Sequence, residues 1–228
     1  MLAEWTAECS ADAPTLVVPW SDPAGTARYI DLRAEPYDIA EIPEAEHYPA
    51  LGRVLRALNA TRSPVLTAKC DVWLLSPNEE PGDPDDPTEL EMLIAELDIE
   101  PDEARCGIAS YIDILWRDRA LFASAHQQGE LLDRLTRRAE RLDHPYAALA
   151  CVMRPAMFDF EASTVEGFAV TLYVRAVGID TSSALAHWED ALEDITALLR
   201  GRDLALSRSS ATIDTSAYPL RVRNMNRE

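Results

Sequence analysis

Glycine is scarce in this sequence and never clustered: there are eight in 228 residues, no two closer than eleven positions. A loop that cradles a phosphate needs glycines close together, so that backbone N–H groups can approach the anion. Walker and dinucleotide fingerprints are therefore excluded, and no G-x-S-x-G elbow marks a nucleophile. The four histidines, His47, His126, His144 and His187, fall at no metal-ligand spacing. The four cysteines, Cys9, Cys70, Cys106 and Cys151, form no C-x-x-C pair. His187, beside Trp188 on a helical pattern, has no second feature that would support haem ligation. No metal, no cofactor and no catalytic residue is expected.

Positive charge is the next shortage. Lysine and arginine number 21 against 40 aspartates and glutamates, a formal net charge of −19 and a pI near 4.5. Such a field repels nucleic acid and anionic membranes. It suits a protein partner with a basic surface, or high solubility alone. No apolar run approaches the roughly 20 residues that cross a bilayer. The N-terminal Met1–Trp5 carries no basic region, so no signal peptide is expected. A reduced, cytoplasmic protein is the simplest reading.

What the chain does have is a self-similar pattern. Ser110–Arg117 alternates as a strand with unlike faces: Ile112, Ile114 and Trp116 on one, Tyr111, Asp113, Leu115 and Arg117 on the other. An earlier stretch, Arg28–Arg33, repeats its Tyr-Ile-Asp core 82 residues upstream. At an offset of 81, Leu51, Arg53, Arg56, Pro64 and Cys70 meet Leu132, Arg134, Arg137, Pro145 and Cys151. The pattern predicts an internal duplication.

Strands are predicted at Thr15–Trp20, Arg28–Glu35, Val65–Leu75, Gly107–Arg117, Tyr146–Met153, Gly167–Val177 and Leu204–Ile213. Helices are predicted from Pro49, over 88–99, over Gln127–Asp143 and over Ser183–Arg200. The second half then reads β-α-β-β-α-β, a ferredoxin-like unit. The expected fold is α+β: two tandem ferredoxin-like halves, the first degenerate. Residues 1–104 would form the first half, with an acidic loop at 76–87 and an acidic helix at 88–99. Residues 105–214 would form the second, followed by a polar tail at 215–228.

Two candidate surfaces follow. From Glu79 to Glu103 there are twelve carboxylates and no basic residue. Glu79, Glu80, Asp83, Asp85, Asp86, Glu89, Glu91, Glu96 and Asp98 would make an acidic interaction surface. They do not make a calcium loop, because position twelve from Asp83 is Ile94. The other candidate is the strand face turned away from the helices. It would carry Tyr29, Asp31, Arg33, Lys69, Asp71 and Trp73 from one half, and Tyr111, Asp113, Arg117, Arg154, Tyr173 and Arg175 from the other. Mixed Tyr, Asp, Lys and Arg on a face without helices suit a wet polar pocket, a domain interface or the seam of a homodimer. With no catalytic motif, the favoured function is a non-enzymatic binding protein whose acidic surface meets a cationic protein. The alternative is a small-molecule-binding protein or enzyme using the polar sheet face.

Overall fold

A computed structural model of the chain describes residues 1–10, 12–25, 28–76, 87–100, 102–160 and 163–201. In chain order the strands are β1 (Leu2–Ala7), β2 (Leu16–Val18), β3 (Val65–Leu75), β4 (Cys106–Trp116), β5 (Ala147–Phe160) and β6 (Ser163–Gly178). The helices are α1 (Pro43–His47), α2 (Pro49–Asn59), α3 (Glu89–Glu96), α4 (Arg119–Phe122), α5 (Ala125–Ala139) and α6 (Thr181–Arg200), with a 3-10 segment at Pro36–Glu41. All six strands share one sheet in the order β1-β5-β6-β4-β3, and β2 follows β1 along the outer edge of β5. The fold is mixed α+β.

Each helix that packs on the sheet begins where its sequence supplies a start. Pro49 opens α2, Ser124 caps α5, and Asp180 with Ser183 forms a capping box for α6. Their apolar stripes face one side of the sheet: Leu51, Val54, Leu55 and Leu58 from α2, Leu131, Leu132 and Leu135 from α5, and Trp188, Leu192, Ile195 and Leu199 from α6. Trp188 is wholly buried, and its indole N–H donates to Ser110 Oγ at 2.9 Å. A buried indole needs such a partner. Ser110 donates onward to the Val174 carbonyl.

The other side of the sheet has a smaller core. Leu90 and Leu93 of α3 pack there against Leu75, Ala109, Ala148 and Val177. Thr88 and Glu91 complete the predicted capping box of α3.

Three expectations change here. First, Arg28–Glu35 is not a strand; only Arg28 makes an isolated bridge, to Ser21. Asp31 is the reason. Its carboxylate accepts from the Arg33 N–H, and its carbonyl accepts from Ala34 and Glu35, so the chain turns. Second, the two halves do not build separate sheets. β3 pairs with β4, and β1 and β2 pair with β5, so strands from residues 1–104 flank both edges of the later hairpin. The offset of 81 does relate one helix–strand pair, α2–β3, to another, α5–β5. Third, β3 bulges at Ala68, which no residue of β4 opposes. Thr67 therefore joins Ile114 on the helix-facing side, where it bonds Asn59, and Leu66 joins Leu115 on the other. The strand expected at Leu204–Ile213 and the tail at 215–228 lie outside the described residues. β1 and the β5–β6 extension beyond Met153 were not expected at all.

Candidate functional site

The sheet face opposite α2, α5 and α6 is laid out in rungs by strand register. Lys69 of β3, Asp113 of β4 and Thr171 of β6 stand directly opposite one another, flanked by Arg154 of β5. The next rung is Asp71, Tyr111 and Tyr173; the one after is Trp73, Ala109 and Arg175. Eight residues picked from alternation alone, Lys69, Asp71, Trp73, Tyr111, Asp113, Arg154, Tyr173 and Arg175, thus share one face. Tyr29, Asp31, Arg33 and Arg117 do not join them. Tyr29 packs edge-on to Trp20 at 6.3 Å between ring centres, and burial pushes its phenol up to about 12. Asp31 and Arg33 pair with each other, Nε to Oδ1 at 2.8 Å, and that guanidinium holds the Asp31 carboxyl below its usual range. Arg117 serves the end of α2, donating to the Asn59, Ala60 and Val65 carbonyls.

The rungs differ in what covers them. The Trp73–Arg175 rung lies under α3. Glu89 accepts from the Trp73 indole at 3.1 Å, and Glu96 accepts from Arg175 at 2.9 Å. Glu91 closes the capping box, and Asp98 ends the helix in a left-handed conformation at φ 54°. These contacts occupy Glu89, Glu91 and Glu96 within the fold. Glu79, Glu80, Asp83, Asp85 and Asp86 lie outside the described residues.

The Lys69–Asp113–Thr171 rung has a different roof, the segment Pro14–Ser21. At one end β2 pairs with Ala156–Phe158 of β5. At the other end the Trp20 indole donates to the carbonyl of Ala68, the bulged residue of β3, at 2.9 Å. A bulge leaves a backbone group without its ladder partner, and Trp20 supplies one. The Lys69 ammonium lies 5.3 Å from the centre of the Trp20 ring. Between roof and sheet is a cleft of about 510 Å³ lined by Lys69, Asp113, Arg154 and Thr171. A second cleft of about 760 Å³ shares Trp20, Ser21 and Lys69 with it and runs on past Ile30, Leu32, Ile42, Leu55 and Cys70. Both volumes fall in the range of small-molecule sites.

Asp113 is the focus of the first cleft. Only 8% of it is exposed, and Thr171 Oγ1 donates to its Oδ1 at 2.6 Å. Burial raises its pKa, against the opposing effects of Thr171, Arg154 and Lys69. Burial, with Asp113 and Asp71 nearby, pushes the Tyr111 phenol up to about 12. Arg154 donates to Glu8 at 3.0 Å and to the Tyr173 hydroxyl at 3.2 Å. These bonds use its Nε and Nη2, leaving Nη1 without a hydrogen bond among the described residues. Lys69 makes no ion pair among the described residues, and it is the only lysine in the chain. Cys70, in the second cleft, has its thiol pushed up to about 12 by burial and by Glu44, Asp71 and Asp113, so it is held in the unreactive thiol form.

Thr171, Trp20 and Glu8 belong to this site but were not singled out in the sequence. The signal that could have pointed to it is compositional: one lysine in 228 residues, directly opposite a mid-strand aspartate. His187, considered above for haem, donates from Nδ1 to the Val177 carbonyl at 2.8 Å and stacks on Tyr146. Among the described residues no group of three or more His, Cys, Asp or Glu side chains could hold a metal ion, and no helix is long and apolar enough to cross a membrane. Compared with protein-family models, with curated proteins and with solved structures, the chain matches none.

Proposed function

We propose that the chain binds a small organic molecule in the cleft between the Pro14–Ser21 roof and the polar sheet face. One observation carries this reading. Asp113, more than nine-tenths buried, sits directly opposite the only lysine, beside Arg154, on the floor of a roofed cleft. Burying a carboxylate costs stability unless the group is used or fully paired. Here only one carboxylate oxygen has a partner among the described residues. The acidic surface has less support, since three of its four described carboxylates are engaged by their own fold.

The test is a thermal-shift screen of the chain against a metabolite panel, with hits confirmed by protection of Lys69. A ligand at 100 times its Kd stabilises the folded chain by about 2.7 kcal/mol. Having one lysine makes the second readout specific: amine-reactive labelling followed by peptide mass spectrometry reports Lys69 and the N-terminus alone. Hits are expected to slow Lys69 labelling and to be lost in Asp113→Leu, which keeps the size of the side chain and removes its polar atoms. Asp31→Asn, outside the cleft, should retain them. Hits that survive Asp113→Leu and leave Lys69 fully reactive would place binding elsewhere.

A further inference from the structure

Resting on that reading, we infer that the ligand is an amphipathic monocarboxylate, its carboxylate held by Lys69 and Arg154 and its apolar part laid past Trp20 into the second cleft. The two clefts are unlike each other and adjoin, with Lys69, Trp20 and Ser21 in the walls of both. The first has a cationic floor. The second is apolar along Ile30, Leu32, Ile42, Leu55 and Cys70, and away from Lys69 its charged lining among the described residues is Asp22, Glu41 and Glu44 with Arg28. An anionic head placed at that rim would meet net negative charge, whereas at Lys69 and Arg154 it meets the two cations of the floor. The orientation of a head-and-tail ligand is therefore fixed by charge.

Charge also sets the valence of the head. Arg154 is paired with Glu8, and Asp113 is driven toward its neutral form by burial. Glu8 matches Arg154 in that pair, and Lys69 makes no ion pair among the described residues, so the ion pairs of the floor leave an excess of one positive charge. That excess matches a monoanion and not a phosphate dianion. A protonated Asp113 can also donate a hydrogen bond from Oδ2 to the bound carboxylate while its Oδ1 keeps the bond from Thr171. A cationic ligand is disfavoured by the same pair of cations. The Trp20 ring, edged by Tyr29 and faced by the Lys69 ammonium, provides the apolar wall at the junction.

The test uses four probes of equal chain length on the full chain: octanoate, octanol, octylammonium and octyl phosphate. Octanoate is expected to raise the melting temperature and slow Lys69 labelling, with octanol, octylammonium and octyl phosphate all weaker. Losing one charge-assisted contact should weaken octanoate binding about tenfold in Lys69→Met and in Arg154→Met. Leu32→Asp, at the apolar end, should weaken octanoate while leaving acetate binding unchanged. Circular dichroism checks that each variant is folded, and acetate binding serves where Leu32→Asp is not. Octanol equal to octanoate, or octyl phosphate tighter than it, overturns the monocarboxylate. Absence of any effect from all four probes also overturns it. In those cases the cleft reading still stands if the metabolite panel yields a ligand that protects Lys69, and falls with it if none does.

Discussion

Trp20 and Ala68 are joined by a single hydrogen bond, indole N–H to carbonyl, at the one residue where β3 steps out of register with β4. The bond ties the roof of the cleft to its floor. Trp20→Phe keeps an aromatic wall but leaves the bulge carbonyl without its donor. An unpaired carbonyl of this kind costs about 1–3 kcal/mol. The expected outcome is a loss of that size in urea denaturation, with faster Lys69 labelling as the roof loosens. Equal labelling rates in Trp20→Phe and the parent chain would show that the roof is held by β2 alone.

Arg117 is expected to be a stability residue and not a ligand residue, despite its place in the alternating pattern. Its guanidinium donates to three carbonyls, those of Asn59 and Ala60 at the end of α2 and that of Val65 at the start of β3. The first two end a helix whose dipole favours a cation there. Arg117→Met should cost roughly 2–3 kcal/mol, the scale of hydrogen bonds to a charged group. Arg117→Lys, with one ammonium for three acceptors, should recover only part of it. Ligand affinity measured on the folded fraction should be unchanged in both.

Arg117 also illustrates how far the sequence could be read. Alternation assigned Tyr111, Asp113, Tyr173 and Arg175 to one face because β4 and β6 are regular strands, and period-two geometry allows no other outcome. The same rule, carried back from Lys69, Asp71 and Trp73 along β3, would put Thr67 on their face and Leu66 on the other, and it fails there because the bulge at Ala68 shifts the period by one and carries no Gly or Pro to announce it. It misread Arg28–Arg33, where Asp31 bonds its own backbone and turns the chain. An identical Tyr-Ile-Asp in β4 stays extended because the β4 backbone is paired on both sides, by β3 and β6. The roof was not legible either. It forms through the distant partners Ala68 and Phe158, and no local pattern in Pro14–Ser21 records them.

Gly167 and Gly129 offer a contrast between two glycines without unusual backbone angles. A Cβ on Gly167 would lie 2.4 Å from the Phe122 carbonyl oxygen and 2.6 Å from its ring. The oxygen belongs to the backbone of α4 and cannot swing aside. A Cβ on Gly129 would lie 3.2 Å from the Trp5 ring, a side chain at the edge strand β1. Gly167→Ala is therefore expected to cost about 2–3 kcal/mol by overpacking, and Gly129→Ala much less. Equilibrium denaturation of the two variants side by side checks the order. Equal costs would mean that α4 can shift away from β6.

Asp113 sets a pH dependence whose sign follows from its burial. Its folded pKa lies above the ordinary 3.8, because removal from water outweighs the help of Thr171, Arg154 and Lys69. Between 3.8 and the raised value, the folded chain holds a proton that the unfolded chain has released. Stability then falls as pH rises through that window and stays lower above it. Asp113→Asn has no proton to lose and keeps an acceptor for Thr171. The stability of Asp113→Asn relative to the parent chain is therefore expected to climb from near pH 4 upward and then level off. Chemical denaturation at a series of pH values gives this difference curve directly, and carboxylates elsewhere in the fold cancel from it. Lys69→Met removes one of the charges that hold the Asp113 pKa down, so in that background the climb should extend to higher pH. A flat difference curve would mean that water reaches Asp113 freely and that the roof does not close over it.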